Sequence, residues 1–88
     1  MIDISPVDET TFDVTVKAGA TTTHRVTVAR DDHQALTGGN ATVETLLEAS
    51  FAFLLERESN TSILRTFDLP VIGRYFPEYE SQMKRRFA

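Results

Sequence analysis

Cysteine is absent from this 88-residue chain, which excludes a disulfide framework and any thiolate chemistry. Histidine is nearly absent, with only His24 and His33. A hydrolytic triad would have to set one of them beside a serine and a carboxylate that no local motif nominates. His33 follows Asp31 and Asp32, but neighbouring residues on a helix point apart and no second cluster completes a ligand set, so no metal site is expected. No apolar run approaches the length needed to cross a bilayer. Met1–Ser5 lacks the basic and apolar regions of a secretory signal, which makes the cytoplasm the expected compartment. Positive charge is in deficit: nine Lys and Arg against thirteen Asp and Glu leave a net charge of −4. That balance argues against a protein held to nucleic acid by bulk electrostatics. Gly38-Gly39 lacks the spacing of a phosphate loop, and Glu56 and Glu58, two apart on a helix, do not converge. The expectation is therefore a protein without catalytic residues, cofactor or metal.

What the chain does have is a change of hydrophobic period at Gly38-Gly39. Before it, apolar and polar residues alternate; after it, apolar residues recur at three and four positions. Phe12, Val14 and Val16 alternate with Asp13, Thr15 and Lys17, the pattern of a half-buried strand. Gly19 supplies a turn, and alternation resumes with His24, Val26 and Val28 on one face and Arg25, Thr27 and Ala29 on the other. The pair reads as an antiparallel hairpin, and Met1–Ser5 is a candidate third strand ended by Pro6. The size of the chain allows one domain over residues 1–88, β-rich over 1–37 and α-rich over 38–88.

Asp31 or Asp32 is placed to cap a short helix ending near Thr37, with Gly38 as a left-handed terminator. Thr42 caps a main helix running from Val43 to about Glu58. Asn40-Ala41-Thr42 and Asn60-Thr61-Ser62 match the glycosylation triplet, but in this setting they read as helix-start chemistry. Leu46, Leu47, Phe51, Leu54 and Leu55 form one broad face of the main helix, with Phe53 at its side and Thr45, Ala49 and Ala52 behind. Ala49 to Leu55 carries no charge, so either the C-terminal segment or a second subunit must cover it. A homodimer through this helix is the expected assembly.

Beyond the main helix, a short helix through Ile63, Leu64 and Phe67 is expected, then another with Asp68 as N-cap and Pro70 in its first turn. Pro77 breaks the chain again, because the residue before proline favours extended geometry. The final helix carries Tyr79, Met83 and Phe87 at spacing four, with Glu78 and Glu80 at its start and Lys84-Arg85-Arg86 at its end, matching the macrodipole. The whole is expected to be an α+β domain, a hairpin packed on a long central helix with shorter C-terminal helices.

Two constellations bear on function. Phe67 to Tyr79 is rich in aromatics and holds Arg74, the residue combination favoured at interaction hot spots. Phe67, Ile72 and Phe76 are expected in the core, and Arg74 and Tyr75 at the surface as partner-binding residues. The other is Arg25-Val26-Thr27-Val28-Ala29, followed by a short helix, a Gly-Asn-Ala-Thr turn and Val43-Glu44-Thr45-Leu46-Leu47. This run resembles the ribbon-helix-helix family of DNA-binding dimers. The resemblance implies that strands from two subunits pair, that Arg25 and Thr27 face DNA, and that the main helix builds the dimer core. The principal expectation is a non-enzymatic protein-interaction or regulatory module, with the DNA-binding regulator as its alternative. An enzyme using His24, Arg74 and Tyr75 is a third reading that rests on residue chemistry without spacing.

Overall fold

The computed structural model describes residues 1–88 as an α+β arrangement built on a four-stranded sheet of order β1-β2-β3-β4. The strands are β1 (Ile2–Pro6), β2 (Thr11–Ala18), β3 (Ala20–Thr27) and β4 (Thr66–Asp68). Helices α1 (Arg30–Thr37) and α2 (Val43–Leu55) follow β3, and α3 (Val71–Tyr75) and α4 (Tyr79–Arg86) follow β4. No helix is long and apolar enough to cross a membrane.

The hairpin follows from its alternation. Phe12, Val14 and Val16 of β2 and Thr22, His24 and Val26 of β3 are buried, while the intervening residues face outward. The register pairs Ala18 with Ala20 around Gly19, whose φ of 74° is available to glycine at no steric cost. On the outer face the register sets Asp13 opposite Arg25 and Thr15 opposite Thr23, and the two hydroxyls lie 3.2 Å apart. β1 adds to the far side of β2, with Ile4 opposite Val14. The turn between them is held by Asp8, whose carboxylate accepts the Thr10 and Thr11 amides at 2.9 Å each. The amide of Thr10 contributes most to holding this carboxyl below its ordinary pKa.

The helix boundaries show which local signals prevail. Thr42 caps α2 by accepting the Thr45 amide at 3.1 Å, and Gly38 closes α1 in the left-handed region. The N-cap of α1 is Ala29 rather than Asp31 or Asp32, which fall in its first turn. There they still face the positive end of the helix dipole. α2 is 13 residues long and ends at Leu55, short of Glu58. Arg57 closes that end, its guanidinium donating to the Phe53 carbonyl at 2.9 Å and lying 3.6 Å over the Phe53 ring.

Two expectations fail after α2. Asn60–Ser62 forms one 3-10 turn, and the segment expected to be helical through Ile63, Leu64 and Phe67 is not helical: Ile63 is extended and Phe67 lies in β4. Asp68 is correspondingly the last residue of β4 and not a helix cap, and Pro70 takes the N-cap position of α3. β4 runs parallel to β3, with Val26 opposite Phe67, so the expected hairpin is the middle of a larger sheet. Pro77 does separate two helices, and Phe76 before it is extended at φ −131°, ψ 90°.

The uncharged stretch of α2 is covered by its own chain. Phe51 turns to the sheet, its ring 5.5 Å from His24 and 6.2 Å from Phe67. Phe53 turns the other way, edge-on to Phe76 and Tyr79. A helix between two layers is apolar over most of its circumference without a second subunit. Ala49 is buried, and of the small residues at the back only Thr45 and Ala52 are exposed. They share that strip with Glu44 and Glu48, neither of which is ion-paired.

Between α2 and α4, Ser50 and Tyr79 make a buried polar contact. Ser50 Oγ donates to the Leu46 carbonyl at 2.7 Å and lies 2.6 Å from Tyr79 Oη. Since the serine proton is already committed, the tyrosine hydroxyl donates to Ser50. Burial is the main reason the Tyr79 pKa lies far above the ordinary phenol range. Ser50→Ala strands a buried donor, whereas Tyr79→Phe removes donor and need together. Chemical denaturation is expected to show a loss of about 1–3 kcal/mol for Ser50→Ala and about 1 kcal/mol for Tyr79→Phe; the reverse order would reverse the donor assignment.

Ala52→Glu tests the exposed strip. It is expected to change unfolding free energy by less than about 0.5 kcal/mol and to leave the sedimentation mass at the wild-type value. A wild-type dimer that the substitution splits would place an assembly contact on this strip.

Candidate interaction cleft

Residues 60–76 form the most irregular part of the fold, and a buried polar chain positions them. His24 is fully buried, with Nδ1 2.7 Å from the Leu64 carbonyl and Nε2 2.8 Å from Thr22 Oγ1. A carbonyl only accepts, so Nδ1 carries the proton and donates. Nε2 then accepts from the Thr22 hydroxyl, whose oxygen accepts from Asn60 Nδ2 at 2.9 Å. Asn60 donates also to the Ala20 carbonyl at 2.9 Å. The chain of bonds clamps the 3-10 turn and Leu64 to β3, and no buried side-chain polar atom in the structure is left unpartnered.

Clamping the Leu64 backbone decides where its neighbours point. In extended chain adjacent side chains face opposite ways: Ile63 is buried at 6% exposure, and Leu64 is left 46% exposed. α3 does the same by a different route. With Pro70 before it and Pro77 after, its five residues bury Ile72 alone. Tyr75 remains 66% exposed and Phe76 half-buried. Phe67 and Ile72 thus lie in the core as expected, while Phe76 reaches it only by its edge contact with Phe53.

Leu64 and Tyr75 line one cleft of about 190 Å³, together with Leu54, Ile63, Phe67, Val71, Ile72 and Phe76. Ser62 and Glu58 complete its wall. Glu58 is its one charged residue, half-buried and without an ion-pair partner. Arg57, next in the chain, pairs with Glu56 and Glu78 at 3.2 Å each. A second cleft, of about 280 Å³, lies beyond Val71, with Thr27, Asp32, Asp68 and Arg74 among its lining residues. Arg74 and Tyr75 therefore belong to different clefts, joined only through Val71.

The remaining candidates lie apart. Arg25 is exposed on the outer face of the sheet, its guanidinium gripping Asp13 through two hydrogen bonds of 2.9 and 3.1 Å. Thr27 is half-exposed on β3. Both edges of β3 are occupied, by β2 and β4 of the same chain. The cross-subunit ribbon implied by the ribbon-helix-helix resemblance has no free edge at these residues. His24, Arg74 and Tyr75 do not form one site, because both nitrogens of the buried His24 are already bonded. His33 Nε2 donates to the Ala41 carbonyl at 2.7 Å, and no group of three or more acidic or histidine side chains lies together. The chain matches no protein-family model, no curated protein and no solved structure, so the cleft is interpreted from its own geometry.

Leu64 and Glu58 carry no motif in the sequence. The one available signal was the adjacent pair Ile63-Leu64, which cannot both be buried once the chain is extended.

The Arg25 pair has a titration consequence. Its hydrogen bond holds the Asp13 carboxyl below the ordinary carboxylate range. A lowered folded-state value means the contribution to stability is present above the unfolded pKa and is lost as pH falls through the folded one. Carboxyl carbon NMR of Arg25→Ala is expected to show the Asp13 midpoint returning upward toward the ordinary carboxylate range. An unmoved midpoint would show the pair to be absent in solution.

Proposed function

We propose that this protein is a non-enzymatic interaction module that receives a partner's side chain, through at least an apolar stem, in the Leu64–Tyr75 cleft. The observation that carries the reading is a coincidence of exposure. Only four large hydrophobic residues are well exposed, Met1, Val7, Leu64 and Tyr75, and two of the four line the same cleft, where eight of ten lining residues are hydrophobic. Exposed apolar residues scattered singly are ordinary, whereas residues converging on one concavity present a surface from which water is profitably displaced. Tyr75 fits the role: its ring offers area while its hydroxyl keeps contact with water. The cleft beside it has three charged residues in its lining, Asp32, Asp68 and Arg74, and burying them would first strip their hydration.

The magnitude sets the assay. A partly buried alkyl side chain contributes about 0.8 kcal/mol per CH₂, so an isolated side chain binds in the millimolar range or weaker and NMR is the suitable method. A blocked leucine-centred tripeptide is expected to shift the methyl resonances of Leu64 and Ile72 and the ring resonances of Tyr75. Leu64→Ser, which alters an exposed side chain, is expected to abolish these shifts while leaving the melting temperature unchanged. Shifts centred on the β1 edge or the Asp32–Arg74 cleft would overturn the assignment.

A further inference from the structure

We infer that the natural occupant of the cleft is an arginine side chain of a partner protein, its stem on Leu64 and its guanidinium between the Tyr75 ring and the Glu58 carboxylate. The inference rests on the interaction reading above and specifies the chemistry of the occupant. Its first ground is charge. Glu58 is the single charged residue of the cleft and has no ion-pair partner. The nearby cations do not serve it: Arg57 is engaged by Glu56, Glu78 and the Phe53 carbonyl, and Arg74 lines the neighbouring cleft. The protein as a whole, at net charge −4, also favours a cationic partner over an anionic one.

Its second ground is a precedent in the same molecule. At the end of α2 an aromatic face and carboxylates occur together, and an arginine fills the place: the Arg57 guanidinium lies 3.6 Å over the Phe53 ring and 3.2 Å from Glu78. The cleft likewise brings Tyr75 and Phe76 together with Glu58 among its lining residues, and it has no cation of its own. Guanidinium suits such a site better than ammonium. It is planar, stacks on ring faces and is more weakly hydrated, so it gives up less water on entering a partly apolar concavity.

Citrulline has nearly the shape of arginine without the charge, so the pair isolates the electrostatic part. Blocked arginine- and citrulline-centred tripeptides would be titrated into the full chain alongside the leucine peptide, with shifts at Leu64 and Tyr75 as readout. Arginine is expected to bind roughly two- to five-fold more tightly than citrulline, the scale of a cation at an exposed aromatic site. Glu58→Gln is expected to shrink that ratio toward one. The Glu58 side chain makes no ion pair that the substitution could break, and an unchanged melting curve would confirm intact folding. Tyr75→Leu, which keeps the apolar wall and removes the ring, is expected to reduce the ratio as well. If leucine and citrulline bind in the cleft as tightly as arginine, the inference fails and the interaction reading stands. Should none of the three peptides move these resonances, both fail. An arginine preference that survives Glu58→Gln and Tyr75→Leu would place the cation elsewhere and overturn the inference.

Discussion

The hydrogen bond from His24 to the Leu64 carbonyl joins residues 40 apart in sequence, and much of the second half of the fold depends on it. It fixes the chain immediately before β4 against the middle of β3. From there the Arg25 amide reaches the Arg65 carbonyl at 2.7 Å, and the Leu69 amide reaches the Thr27 carbonyl at 2.9 Å. A three-residue parallel strand has too few ladder bonds to choose its own register. The clamp chooses it, and Asn60 and Thr22 make the choice affordable by satisfying the remaining polar atoms of the histidine and the 3-10 turn. The same imidazole lies against the Phe51 ring, so the polar seam and the main helix meet at a single side chain.

Much of the first half was legible because its signals are local. A sheet with one wet face imposes alternation on β2 and β3, and the outer residues pair across the strands as Asp13 with Arg25 and Thr15 with Thr23. Thr42, Gly38 and Pro77 act through their own backbone neighbours, and each ends or begins a helix where its chemistry requires. The breadth of the apolar surface on α2 was equally visible, but its cause was not. Periodicity reports that a face is buried and says nothing of which chain buries it; here the sheet takes Phe51 while Phe76 and, on α4, Tyr79 take Phe53.

What stayed hidden depends on partners distant in sequence. Ile63 to Phe67 has enough apolar residues for a helical turn, and bonds to the distant β3, from His24 to the Leu64 carbonyl and from the Arg25 amide to the Arg65 carbonyl, hold it out of one. The same distance hides the edge of β3: nothing local to β3 announces that β4 pairs with the edge a ribbon would need. The cleft shows the same division. Tyr75 could be chosen from its amphipathic ring between two prolines. Leu64 and Glu58 could not, because their exposure is set by the clamp and by the early end of α2.

That the cleft is open is a consequence of these constraints and not of loose packing. The core around it is closed, with Leu54, Ile63, Phe67 and Ile72 all buried. Leu64 follows a buried Ile63 in extended geometry, and its own carbonyl is anchored by His24, so its side chain stays outward. Tyr75 lies on α3, which is five residues long and buries Ile72 alone. The His24 clamp and the Ile72 anchor thus set the positions from which Leu64 and Tyr75 line the cleft. An incoming side chain can cover Leu64 and Tyr75 while both stay intact.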